Sequence, residues 1–362
     1  MKICFFGSSL VSSYWNGAAT YYRGLLNEIA AFGHEIIFFE PNAFDRQAHR
    51  DIDDPSWARV VVYPATAEGW QISLASAARS ADLLIKASGV GVFDTELESA
   101  LADIPSKAVR IYWDVDAPAT LDAIANNPHH HLRAAIPHYD LVLTYGGGDK
   151  VASAYRANGA RECVSIYNAL DPSTHYPTPP SPEFGCDLSL LANRLPDREA
   201  RVEEFFLGAA SRLPTKQFAL GGSGWESKRT PANIRKVGHV NMREHNAFFA
   251  SGLATLNINR DSMARYGFSP PTRVFEAIGS GACVITDDWE GIDHFLEPAR
   301  EILIASSGAQ VAEHLDALTP ARARAIAQQA RARILAHHTY WHRARQFEAL
   351  LEGMTARTEA AE

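Results

Sequence analysis

Short apolar runs separated by helical stretches recur along this chain of 362 residues, and that recurrence, broken once by prolines, limits the folds open to it. In the first half the predicted strands are Ile3–Phe6, Glu35–Phe39, Val60–Tyr63, Leu83–Lys86, Val109–Trp113, Leu141–Tyr145 and Cys163–Tyr167. Helical stretches separate most of them. The first, from about Ala18 to Phe32, carries Tyr22, Leu25, Leu26 and Ile29 on one stripe. Strands that alternate with helices in this way build a parallel, doubly wound sheet with both faces covered. The proline-rich run Pro172–Gly185 interrupts the rhythm and reads as a stiff, extended linker. Alternation resumes with Leu188–Ala192, a helix over about Arg198–Arg212, Gln217–Gly221, a helix near Met242–Ser251, Leu253–Asn257 and Glu301–Ile304. Two helices close the chain, from about Pro320 to Ala336 and from His338 to Leu351. The expected organisation is therefore a first α/β domain over 1–171, a linker over 172–185, a second α/β domain over 186–336 and a helical tail over 337–362, frayed after about Met354.

Length and composition fit that plan. The chain can bury two sizeable cores, and 46% hydrophobic with 21% charged residues is ordinary for a globular protein. A net charge of −8 argues against a nucleic-acid binder and a strongly basic membrane-surface protein. Cys4, Cys163, Cys186 and Cys283 are far apart, each in or beside an apolar run, so they read as buried thiols in a reducing compartment. The opening Met1–Gly7 run reads as a strand rather than a signal peptide, and no run approaches the ~18 apolar residues of a spanning helix. A cytoplasmic protein with at most peripheral membrane contact is expected.

The stretch richest in chemistry runs from Gly267 to Asp287. It reads as a loop, a helix and a buried strand, with Ser269 as helix cap and Pro270 in the first turn. Val274, Phe275 and Ile278 share an inward face, and Arg273, Glu276 and Ser280 share the opposite one. A helix N-terminus behind Gly267 suits an anionic phosphate, and Arg273 can grip a phosphate bidentately. Glu276, one turn on, can accept hydrogen bonds from a ribose diol. A capped surface helix with an Arg273–Glu276 pair explains the same spacing.

This run resembles the donor-binding segment of GT-B glycosyltransferases, most closely the branch that includes CgeB-type spore-maturation proteins. The shared pattern is met by Pro271, Arg273, Phe275, Glu276, Ala277, Gly281, Ile285, Thr286 and Asp287. The resemblance implies a GT-B architecture: two doubly wound, Rossmann-like domains facing across a cleft, with the last helix crossing back to the first domain. It also implies Glu276 on the nucleotide ribose, Arg273 near the diphosphate, and no metal.

Other candidates follow from position. Between the first strand and helix, Asn16 and Gly17 lie in a small-residue loop that could hold a phosphate or sugar hydroxyl, or simply make a tight turn. Asp114 and Asp116 follow a buried strand, where either could serve as general base and Asp116 equally reads as a helix N-cap. Gly222 and Gly224 could let backbone amides approach a diphosphate, with Trp225 stacking on a ring. By the resemblance, His239 and Val240 border the base and the run Asn257–Asp261 precedes the donor loop. Gly146–Asp149 and Asn168–Asp171 read as structural turns, and His129, His130 and His131 as a solvated loop without zinc-like companions.

Together these readings predict a metal-independent glycosyltransferase without cofactor. It would move a sugar from a nucleotide diphosphate donor, UDP-linked by preference, to a hydroxyl of a glycan, protein or small-molecule acceptor. A UDP-sugar 2-epimerase and a non-catalytic nucleotide-sugar binder are the alternatives.

Overall fold

The computed structural model describes residues 1–14 and 16–359, with side chains described through 354. The described chain divides into two compact units, Met1–Asn168 with Tyr340–Glu362, and Ala169–Thr339.

The first unit is a sheet of seven strands: β1 (Lys2–Phe6), β2 (Glu35–Asn42), β3 (Ala58–Pro64), β4 (Leu83–Ala87), β5 (Val109–Asp114), β6 (Leu141–Thr144) and β7 (Cys163–Ser165). Their spatial order is β3-β2-β1-β4-β5-β6-β7, and every pairing is parallel. β1 and β4 are almost wholly buried, as a strand covered by helices on both faces must be. The last helix, Tyr340–Glu359, packs on the first, Ala19–Ala31. Gly24 makes that approach possible, because a Cβ there would come within 2.1 Å of the Tyr340 ring. The Phe347 ring lies 5.7 Å from that of Trp113 on β5, so the returning helix completes the core of this unit.

The second unit repeats the plan with six strands: β8 (Cys186–Leu191), β9 (Phe218–Gly221), β10 (Ile234–Gly238), β11 (Gly252–Asn257), β12 (Val284–Asp287) and β13 (Leu303–Ala305). Their order is β10-β9-β8-β11-β12-β13, again all parallel. In such an order the chain reverses direction across the sheet between β8 and β11, opening a crevice at the strands' carboxyl ends.

Several local expectations change. β10 carries no strand signal in the sequence, because Ile234-Arg-Lys-Val-Gly238 lacks an apolar run. It is an edge strand with Arg235 and Lys236 exposed, and edges tolerate such charge. The proline-rich segment lies within the second unit and is hydrogen-bonded there. Tyr176 N–H donates to Asn246 Oδ1 (3.3 Å) and Ser181 N–H to Ser251 Oγ (2.8 Å). The helix after β8 starts at Pro196 and passes through a π turn at Glu203–Leu207. His131 is no solvated loop residue: its Nε2 lies 2.5 Å from Glu98, which also meets the buried Lys86. The final helix continues to Glu359, and the rest of the tail, 360–362, lies outside the described residues.

All four cysteines are free, and burial raises each thiol, Cys4 to about 11 and the others to about 12. Among the described residues no helix is long and apolar enough to cross a membrane.

Candidate functional site

In the second unit the predicted donor residues gather at the carboxyl ends of the strands. The helix Thr272–Gly279 buries Val274, Phe275, Ala277 and Ile278 and leaves Arg273 and Glu276 half-buried, as the spacing predicts, but Ser280, expected on their face, is buried. Its start differs from expectation. Pro271 occupies the N-cap position and no side chain caps the first turn, while Ser269, buried, donates its hydroxyl to the Gly267 carbonyl (2.8 Å). Prolines at 270 and 271 push the helix start downstream, since neither has an amide proton and each disfavours helical backbone before it. Gly267 is required where it is. Its φ of +75° and the 2.8 Å approach of a hypothetical Cβ to Glu290 Cβ leave no room for a side chain.

Arg273 is aimed by Asn257 at the end of β11, whose Oδ1 accepts from an Arg273 guanidinium nitrogen (2.9 Å). The Asn257 amide is itself held by Thr286 Oγ1 (3.0 Å) and Asn259 Oδ1 (3.2 Å), so the acceptor is rigid. Burial pushes the Arg273 guanidinium down to about 9; the positive charge of Arg198 adds to this, and Glu276 and Asp287 oppose it. A guanidinium burdened by both burial and a like charge favours an anion beside it. Arg198 sits on the helix Pro196–Val202 that follows β8, so the two arginines lie on the connections that leave the two strands flanking the reversal point. On the same helix Arg201 donates to Asp287 Oδ2 (2.6 Å) at the end of β12. Asp287 is fully buried, and burial raises its pKa against the pull of Arg201.

Arg198 and Arg201 escaped the sequence reading. The available signal was two arginines three positions apart in the first turns of the helix leaving β8, one turn-length spacing at a loop that the topology turns toward the crevice.

The glycine loop after β9 behaves differently from expectation. Gly222 N–H donates to Gly238 O (2.7 Å), Ser223 N–H to Asn193 Oδ1 (2.9 Å) and Gly224 N–H to Glu226 Oε1 (3.3 Å), so these amides are already engaged. Gly222 is needed because a Cβ would fall 2.2 Å from the Ala192 carbonyl oxygen at φ +112°. Trp225 is no stacking platform: it is buried in the core and its indole N–H donates to Ala192 O (2.6 Å). His239 is exposed just past β10. His175, His245 and Glu276 converge, one nitrogen or carboxylate oxygen from each lying within 4.8 Å of the others. Burial lowers the His245 pKa first, Glu276 raises it and His175 lowers it further.

The predicted residues of the first unit lie among its own strand ends. Asn16 is buried and ties its loop together, its amide donating to Ser9 O (2.8 Å) and Ser12 O (3.0 Å) and accepting from Ser8 Oγ (2.8 Å). Gly17 is exposed. Asp114 is fully buried and accepts from Ser88 Oγ (2.7 Å), Asp116 N–H (2.8 Å) and the Tyr155 hydroxyl. With its lone pairs committed and no solvent exposure, Asp114 is not placed to take a proton from an acceptor. Asp116 stands half-buried at the N-cap of the helix Ala117–Asn126 without a side-chain cap bond.

Residues 198–349 match the family described as Glycosyl transferase-like. No curated protein sequence matches the chain. Among solved structures, sucrose-phosphate synthase from Thermosynechococcus elongatus is similar at a TM-score of 0.73 and 14% identity, over 99% of this chain and 100% of that one. Anabaena Alr3699/HepE in complex with UDP and glucose is similar at 0.66 and 14%, over 98% and 100%. T4 phage BGT in complex with its UDP-glucose substrate is similar at 0.58 and 13%, over 95% and 98%. The chain thus has the GT-B fold of these structures over nearly its whole length, and residues 198–349 match the Glycosyl transferase-like family.

Proposed function

We propose that the chain transfers a sugar from a nucleotide diphosphate donor, a UDP-sugar, to an acceptor hydroxyl. The observation that carries this reading is Arg273, held by Asn257 at the carboxyl end of β11 beside an uncapped helix start, with the positive charge of Arg198 acting on it. Two like charges in a half-buried setting gain most from a ligand that brings two or more negative charges, and a diphosphate does. Glu276, one turn along the same helix, takes the ribose hydroxyls, which would place the nucleotide across the helix from its first turn to its second. Two similar structures hold UDP and UDP-glucose, which favours uracil as the base.

Bond cleavage puts charge on the leaving diphosphate. Arg273, Arg198 and the first-turn amides are fixed before the reaction, so they stabilise that charge without reorganising. In this reading the transfer needs neither a metal nor a prosthetic group, and activity is expected to persist in EDTA. Asp116 is the proposed base for an acceptor hydroxyl, since Asp114 is enclosed. Isothermal calorimetry with UDP tests the donor assignment. Saturable binding that is lost on raising salt and absent with uridine is expected, and equal binding of uridine and UDP would overturn it.

A further inference from the structure

Three segments of the second unit bring His175, His245 and Glu276 together. His175 lies in the proline-rich segment, His245 opens the helix His245–Ala250, and Glu276 is on the helix Thr272–Gly279. One potential ligand atom from each lies within 4.8 Å of the other two, and the imidazole centroids are 5.9 Å apart. His175 is only 3% exposed, and its Nε2 is buried without a hydrogen-bond partner; His245 Nδ1 is in the same condition. A buried ring nitrogen without a partner is costly, and two of them beside a carboxylate make a donor set that a ligand would satisfy.

The surroundings hold the three side chains in place. Asn246, buried, donates to Thr174 O (2.9 Å), and its Oδ1 accepts from Tyr176 N–H (3.3 Å) and Ser280 Oγ (2.8 Å). One amide thereby pins the segment around His175 both to the helix of His245 and to the end of the helix of Glu276. Thr174 Oγ1 lies 3.0 Å from His175 Nδ1. With Nδ1–H donating there, Nε2 presents its lone pair, the arrangement that orients histidine ligands in metal sites.

We propose that His175, His245 and Glu276 bind a divalent transition-metal ion, of which Zn²⁺ is the representative. Two imidazoles and a carboxylate suit a borderline ion, whereas Mg²⁺ and Ca²⁺ take sets made of oxygen. Three protein ligands leave a fourth position open. Bonds of ~2 Å in a tetrahedron need donor atoms roughly 3.3 Å apart, so small side-chain rotations close the site. This proposal is independent of whether Glu276 also meets a ribose, and the metal is not required for the transfer described above.

The test is titration of the EDTA-treated full chain with Co²⁺ followed by its visible absorption, with Zn²⁺ as competitor. One saturable equivalent is expected, displaced by Zn²⁺. His245→Ala and Glu276→Gln should each weaken it by roughly tenfold or more. The double variant His129→Ala/His130→Ala, on a loop of the first unit, should titrate as wild type. Should His245→Ala or Glu276→Gln not fold, the wild type still decides, because a site on the native state must raise its melting temperature as Zn²⁺ is added. Absence of both a saturable spectrum and a thermal shift, or wild-type titration by the two site variants, would overturn the proposal.

Discussion

The carboxyl ends of the two sheets are built alike and finished differently. At the end of β5 in the first unit, Asp114 is buried with Ser88, Tyr155 and the Asp116 amide directed at it, so protein donors satisfy it. In the second unit, Arg273 at the carboxyl end of β11 feels the like charge of Arg198, and His175 and His245 each hold a buried ring nitrogen without a hydrogen-bond partner. A fold stabilises itself by completing its polar networks, so buried groups left incomplete are where a ligand is proposed to bind. Strand-end position alone does not separate the two cases. Saturation of the hydrogen bonds does.

Substitutions can break or sharpen this contrast. The largest effect on folding is expected from Asp114→Ala, which strips a buried carboxylate from three donors and should cost about 3 kcal/mol in urea unfolding. A loss below ~1 kcal/mol would mean that the network is slack, and the contrast would fail on its structural side. Asp116→Asn tests the proposed base: UDP affinity by calorimetry should hold, and transfer should fall about a hundredfold. Undiminished turnover would remove Asp116 from the chemistry.

Arg273→Ala should weaken UDP binding by about 2 kcal/mol, ~30-fold, since a hydrogen-bonded charge is lost. Its apo melting temperature should scarcely change, because relief from burial and from Arg198 offsets the lost bond to Asn257. Glu276→Ala should weaken UDP by about 1 kcal/mol. Were both variants to bind UDP as the wild type does, the donor site would lie elsewhere.

The smallest effect concerns pH. Burial holds the Asp114 carboxyl above the usual range, so the folded state keeps this proton after the unfolded chain has released it. Its contribution to stability is therefore full below the unfolded pKa near ~4 and declines as pH rises through the raised folded value. Asp114→Asn should flatten that decline in a series of melting curves. An unchanged slope would show that the carboxyl titrates normally.

What could be read from residue order was mostly what the chain does locally. Apolar runs such as Leu83–Lys86 and Leu141–Tyr145 announce strands covered on both faces, and the spacing of Val274, Phe275 and Ile278 sets the inward face of their helix. Arg273 and Glu276 were legible because they lie three apart on one short helix. Edge strand β10 was not, since a strand paired on one side needs no apolar run. Nor was the fate of Trp225, whose burial depends on the Ala192 carbonyl, 33 positions away.

The amino-acid order by itself determined the alternation, the doubly wound class and the inward faces, because each follows from periodicities of two or 3.6 residues along a few turns of chain. Only the tertiary structure decided which charged and ligating groups come together. Arg198 acts on Arg273 across 75 positions, and His175 meets Glu276 across 101, only because the fold brings those segments together in space. Pairings at such separation carry no local periodicity, so they exist only once the strands have chosen their neighbours.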